Sequence, residues 1–314
     1  MDDPKVFSSL LNLEIINSRK LKGGINSSIY KLNSLNKTFL LKIYPGKKHD
    51  NRPRINTEIE FLMRFQKANI NNVPKLIKYN IQENWALLSW LEGEKPKSLN
   101  YKNIEEIIDF IKKMQKLENI NNFISDIGLA SEACFSINEH YELLKNKISI
   151  LIDNLNKKEN NKNVILYLNN ELKNISEFIN INYSQIYDSI NLISPSDIGI
   201  HNMIIKENKL NFIDFEYAGR DDAYKLLSDL ILQPNFILSI ELKNKLIETF
   251  QSKLDIPINL NRLKILISMY RLKWCFIIHK KYSKSTPNYS VADDSVTKYL
   301  IATKQWGLSN FNNI

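Results

Sequence analysis

The chain has 314 residues, 43% of them hydrophobic, and 43 Lys and Arg against 34 Asp and Glu for a formal net charge of +9. That is enough apolar material for a sizeable core, in one large domain or two lobes. No run of about twenty apolar residues predicts a membrane span, and Met1-Asp-Asp-Pro-Lys5 does not read as a secretory leader. Cys134 and Cys275 lie far apart in apolar surroundings and read as buried free thiols, with no Cys/His spacing of a zinc site; a reducing cytoplasm fits. The positive charge permits an anionic partner, but the lysines are scattered rather than gathered in a stripe, so nucleic acid is not expected.

In chain order, residues 11–44 read as strands. Leu13–Asn17 leads to Leu21-Lys-Gly23-Gly24-Ile-Asn26-Ser27-Ser28, then Ile29–Leu32, a turn at 35–37, and Thr38–Tyr44 ending at Pro45-Gly46. Ile55, Ile59, Leu62, Met63 and Phe65 predict a helix over 54–68. Strands are expected at Lys75–Tyr79 and Trp85–Trp90, and Glu92-Gly-Glu-Lys-Pro96 reads as a hinge. After residue 100 the pattern turns helical, with apolar stripes from Ile104 to Met114, Ile137 to Leu155 and Ile165 to Ile179. A hairpin at 192–215 interrupts, and helices resume at about 223–233, 239–253, 260–283 and 290–303. This predicts an α+β fold of two lobes: residues 1–91, a small β-rich lobe with one helix, and residues 92–314, a larger helical lobe carrying the hairpin.

The segment Ser194-Pro-Ser-Asp197-Ile-Gly-Ile-His-Asn202 followed by Ile213-Asp214-Phe-Glu216 carries the chemistry. Phosphoryl transfer of the kinase type needs a base for the acceptor hydroxyl, an amide oxygen for one Mg²⁺ and a carboxylate for the metals. Asp197 reads as the base, Asn202 and Asp214 as hard oxygen ligands for Mg²⁺, and Glu216 as a further metal ligand or a loop cap. Lys42, inside the apolar strand Leu40–Ile43, reads as the phosphate-binding lysine. Glu58 reads as its helix partner, ahead of Glu60. Gly23-Gly24 with Asn26, Ser27 and Ser28 forms a turn whose N–H groups and hydroxyls suit phosphate. His201 reads as packing, and Asp229 as either surface charge or a hydrogen-bonding support of the loop holding Asp197. Tyr270 and Trp274 are candidates to line an acceptor pocket, and Arg271 and Lys273 to meet an anionic acceptor.

These residues resemble the aminoglycoside phosphotransferase and choline/ethanolamine kinase superfamily, relatives of protein kinases. The family's catalytic loop reads His-Gly-Asp-x-x-x-x-Asn and its metal motif Ile-Asp-(Trp/Phe)-Glu. Here they stand as Pro195-Ser196-Asp197 to Asn202 and Ile213 to Glu216, with Ile213–Gly219 most like the choline kinase branch. The resemblance extends to Lys42, Glu58 and Ala86–Gly93, and implies a two-lobed protein-kinase-like fold. It also implies ATP held in part by the backbone of Ser89, Trp90 and Leu91, Mg²⁺ at Asn202 and Asp214, and a small hydroxylated acceptor such as a sugar or amino alcohol. The alternative is a catalytically silent nucleotide-binding or scaffold protein. Pro195-Ser196 replaces the usual His-Gly, so loop support must come from elsewhere. Arg271 and Lys273 intrude where the choline branch cages a quaternary ammonium, which speaks against a cationic acceptor.

Overall fold

The computed structural model describes residues 3–21, 27–46, 52–119, 126–157, 161–186, 188–285 and 289–308. Gly23, Gly24 and Asn26 of the glycine turn lie outside them. The first part of the chain builds a five-stranded antiparallel sheet. Its strands are β1 (Asn17–Lys20), β2 (Ser28–Asn33), β3 (Thr38–Ile43), β4 (Leu76–Asn80) and β5 (Trp85–Ser89), ordered β1-β2-β3-β5-β4. Alternation along the strands sets its two faces. Tyr30, Leu32, Phe39, Leu41, Trp85 and Leu87 face an N-terminal helix, α1 (Pro4–Leu11), through Phe7 and Leu11. Leu40, Tyr44, Ala86 and Leu88 face the main core and α2 (Arg54–Lys67).

Helix α1 is not expected from the sequence, and residues 13–16 form no strand. The helix has only eight residues. It starts where Asp3 accepts from the Lys5 N–H with Pro4 at the first position, and stops at Asn12 in the left-handed region, φ 49°. Packing of Phe7, Leu10 and Leu11 on the sheet stabilises it.

The rest of the chain is mostly helical: α3 (Tyr101–Gln115), α4 (Ile137–Leu155), α5 (Lys162–Ile186), α6 (Ala223–Leu232), α7 (Ile240–Leu254), α8 (Leu260–Ser285) and α9 (Tyr289–Ala302). Helices α3 and α4 begin in reciprocal capping boxes, Asn100 with Asn103 and Ser136 with Glu139. Helix α8 packs against α4, α5, α6 and α9, which is why it buries residues around its circumference. Among the described residues no helix is long and apolar enough to cross a membrane.

The expected hairpin over 192–215 resolves into two strand pairs. Only β7 (Met203–Lys206) and β8 (Lys209–Phe212) form a hairpin, while β6 (Asn191–Ser194) pairs with β9 (Gly219–Asp222). Strand β9 reads Gly-Arg-Asp-Asp, with no apolar alternation to reveal it. Its acids find buried partners instead: Lys225 for Asp221, and Arg262 and His140 for Asp222. Gly219 is required there, because a Cβ would stand 2.3 Å from the Ala130 nitrogen. The segment read as a hinge docks on β7 by paired backbone bonds between Glu94 and Ile205, at 3.0 and 2.7 Å.

Candidate active site

Lys42 lies on β3 between Leu41 and Ile43, so pleating turns it to the core side of the sheet, where it is 4% exposed. Its Nζ lies 2.6 Å from Glu58 Oε2, 2.5 Å from Asp214 Oδ1 and 3.0 Å from Glu216 Oε2. Glu58 also accepts from the Tyr44 hydroxyl at 2.7 Å, and its other oxygen accepts from the Phe215 N–H at 3.3 Å. The expected Lys42–Glu58 pair is therefore present, and Glu60 is spent on Arg64. Burial opposes the Lys42 charge, but Asp214, Glu58 and Glu216 outweigh it and hold its pKa well above the ordinary value.

Asp214 follows β8 at φ +70°, a left-handed conformation costly for a residue with a Cβ. Aromatic rings pack on both sides of it. Phe215 meets Phe65 of α2 edge-on at 4.8 Å, and Phe110 of α3 stacks on Phe212 at 4.1 Å. Burial, helped by Glu58 and Glu216 and opposed by Lys42, pushes the Asp214 carboxyl up to about 6. Glu216 is held at Oε1 by Arg54 Nη1 at 2.5 Å. Its buried Oε2 makes no well-angled hydrogen bond, although the Lys42 ammonium is near. Oxygens of Glu58, Asp214 and Glu216 lie within 4.8 Å of one another, three carboxylates against the two cations Lys42 and Arg54. This cluster of hard oxygen donors fits a divalent cation such as Mg²⁺.

The loop between β6 and β7 carries Asp197 and Asn202. The Asn202 amide donates to the Asp197 carbonyl at 2.9 Å, and the Asn202 carbonyl accepts from the Ile213 N–H at 3.0 Å. These bonds tie the loop to the approach to Asp214. They also leave the Asn202 side-chain oxygen without a protein partner among the described residues. His201 does not simply pack, as its sequence context suggests. Its Nε2 lies 3.1 Å from one Asp197 oxygen and 3.2 Å from the other. Burial disfavours the Asp197 charge, but the His201 and Asn202 hydrogen bonds prevail and lower its pKa; the same contact raises that of His201 against its own burial.

The remaining candidates divide. Ser27 Oγ is buried at the end of the glycine turn with no partner among the described residues, and Ser28 opens β2 opposite Ile43. In the Ser89–Leu91 stretch, the N–H groups of Ser89 and Trp90 are committed to Lys75 and Thr38, at 2.8 and 3.4 Å. Among the described residues, Leu91 has no such partner for its own. Trp90 stacks under the Lys31 ammonium at 4.2 Å. Arg271 is fully buried, bonded to Tyr167, Thr303 and the Leu300 carbonyl, so it meets no acceptor. Lys273 pairs with Glu132 at 3.4 Å, and Tyr270 is buried against His140. Arg271 thus gives no argument against a cationic acceptor, whereas the Lys273 charge still reaches Asp197. Trp274 is half-buried with its indole N–H unpartnered. Asp229 makes no hydrogen bond to the catalytic loop, and its Oδ1 is buried without a partner. Sequence reasoning missed Tyr44 and Arg54. Both were within reach of it, because Tyr44 shares the Lys42 face of β3 and Arg54 precedes Glu58 by one helical turn.

A sequence model of the phosphotransferase enzyme family matches residues 18–132, the stretch that holds Lys42 and Glu58 and stops short of Asp197 and Asp214. A search of the curated proteins finds no match. Among solved structures, choline kinase LicA from Streptococcus pneumoniae superposes with a TM-score of 0.63 at 14% identity, over 95% of this chain and 97% of that one. ADP-bound aminoglycoside phosphotransferase APH(2'')-Ib gives 0.62 at 14%, over 95% and 97%. Choline kinase from Cryptosporidium parvum gives 0.58 at 15%, over 96% of each chain. These findings bear out the resemblance to the phosphotransferase superfamily and the two-lobed protein-kinase-like fold it implied. The family model points to phosphotransferases over residues 18–132, and the solved structures show the fold that the whole chain shares with them.

Proposed function

We propose that the chain, divided between residues 91 and 92 into its two lobes, is a small-molecule kinase that transfers the γ-phosphate of ATP to a hydroxyl of a polar metabolite. The observation that carries this reading is convergence. Lys42, Glu58, Asp214 and Glu216, up to 174 positions apart, meet within hydrogen-bond distance, and the loop holding Asp197 and Asn202 is bonded to the same turn. Lys42, steadied by Glu58 and Tyr44, would hold the α- and β-phosphates. Leu91, with Ser89 and Trp90 beside it, would line the adenine site, and Ser27 and Ser28 would border the phosphates with the glycine turn. Mg²⁺, held by Asn202 and Asp214 with Glu216 beside them, would neutralise charge on the phosphates. Asp197 accepts the proton of the acceptor hydroxyl as the bond to phosphorus forms. Its lowered pKa keeps it ionised, and His201 sets the direction of its carboxylate.

The acceptor is a hydroxylated small molecule, a sugar, amino alcohol or similar, taken up in the cytoplasm without nucleic acid or membrane. The test is ADP release from Mg-ATP across a panel of such metabolites, with Asp197→Asn as control. Acceptor-dependent ADP that disappears in the variant supports the reading. Nucleotide binding with no transfer to any acceptor would leave a silent nucleotide-binding protein instead.

A further inference from the structure

Asp197 is the group whose aim the proposed reaction depends on, and its loop lacks the His-Gly that precedes the base in similar chains. Ser196 stands there instead, at φ +63°, with its N–H on Ser194 Oγ at 2.9 Å. One helix meets the loop on both sides of the base. Lys225, in the first turn of α6, donates from Nζ to Ser196 Oγ at 3.3 Å. Gln233, the residue that ends α6, accepts from the Ile200 N–H at Oε1, at 2.5 Å. Both side chains are 1% exposed. Positions 225, 229 and 233 recur every four residues and so share one helix face.

Each grip is itself fixed. Lys225 is ion-paired with Asp221, which is fully buried at the end of β9. Gln233 Nε2 donates to the Leu230 carbonyl at 3.2 Å, which leaves Oε1 free to face the loop. Gly199 lets the loop come this close: a Cβ there would stand 2.4 Å from the His201 ring and 3.3 Å from Gln233 Oε1. A buried ammonium whose charge is matched by Asp221 can hold a neutral hydroxyl without leaving an unpaired ion.

We propose that Lys225 and Gln233 are positioning residues that clamp the catalytic loop at Ser196 and Ile200, and so hold Asp197 in line with the acceptor hydroxyl. The proposal rests on the kinase reading for its consequence but not for its geometry. Asp229, the loop support suggested by sequence, lies between the two grips and makes neither.

The test combines turnover with backbone amide exchange in the full chain. Ser196→Gly keeps a residue suited to positive φ and deletes the hydroxyl. Asp221→Asn with Lys225→Met removes the ammonium together with its ion-pair partner, and Lys273 still acts on the buried Asp229. Gln233→Met removes the second grip. Each is expected to speed exchange across residues 196–202 and to lower kcat roughly tenfold to a hundredfold, the scale of a misplacement near 1 Å. The KM for ATP should stay within about twofold, as expected if the nucleotide is held by other groups. Combining Ser196→Gly with the Asp221/Lys225 pair should cost no more than that pair alone, because both delete the Lys225–Ser196 contact. Multiplying losses, or unchanged exchange and kcat in Ser196→Gly and Gln233→Met, overturn the clamp. Faster exchange in variants of a protein that never forms ADP supports the clamp and defeats the kinase reading.

Discussion

Lys42→Met isolates the electrostatics of the site. Methionine keeps the length and apolar body of the side chain and deletes one ammonium that is 5% exposed and lies within 3.0 Å of three carboxylate oxygens. At an effective dielectric near 20, each contact at about 2.6 Å is worth roughly 6 kcal/mol before desolvation. Desolvation offsets most of this, and removing one member of a buried ion pair costs about 3–5 kcal/mol net. The loss expected at pH 8 is of that order, a fall in Tm of about 5–8 °C for a chain of 314 residues. The penalty must depend on pH. Burial has already pushed the Asp214 carboxyl up to about 6, and Lys42 is the main influence holding it down. Without Lys42 the folded state takes up this proton still more readily than the unfolded chain. The added cost is therefore absent well below pH 6, where Asp214 holds its proton in both folded proteins, and grows as pH rises through 6. Thermal denaturation of both proteins at pH 5 and pH 8, without divalent ions, should show less than half the destabilisation at pH 5. An equal loss at both values, or a loss below about 1 kcal/mol at pH 8, refutes the picture of one ammonium restraining three carboxylates.

Asp197→Asn should leave Tm within about 2 °C and lower kcat by roughly 10²–10⁴, the range of general base catalysis; near-parental turnover would show that the base is elsewhere. Because Asp214 titrates near 6, protons compete with a divalent cation there. Mg²⁺ should raise Tm at pH 8, do so less at pH 5, and lose the effect with chelator or in Asp214→Asn; a Mg²⁺ shift unaltered in that variant counts against the ligand role. The His201–Asp197 contact is expected to stabilise between the ordinary carboxylate pKa of 3.8 and the raised His201 pKa above 6.5. Below that window Asp197 gains its proton, and above it His201 loses its own. The Tm deficit of His201→Gln should thus be larger at pH 6 than at pH 9, and a deficit independent of pH excludes the charged pair.

Strong periodic signals made much of the fold legible. Helices α2 to α5 follow from 3.6-residue stripes, and strands β2 to β5 and the later helices from runs of apolar residues bounded by turn residues. The site was legible for a different reason. A base, an amide and a carboxylate must appear in fixed chain order on a loop and the strand after it, and that order survives in one dimension. What stayed hidden is what distant parts of the chain do to one another. Strand β9 has no apolar pattern because buried ion pairs hold it, and the apolar spacing of α1, Phe7 with Leu10 and Leu11, covers little more than one turn. His201 looks inert until the loop folds back on Asp197.

The amino-acid order by itself therefore determined the kinds of element and which oxygen-bearing groups could meet a phosphate, since both depend on neighbours along the chain. The direction of Lys42, the gathering of Glu58, Asp214 and Glu216 around it and the grip of α6 on the catalytic loop were decided only in three dimensions. Each is set by the burial of a charge among partners up to 174 residues away, and the strength of that interaction depends on distance in space.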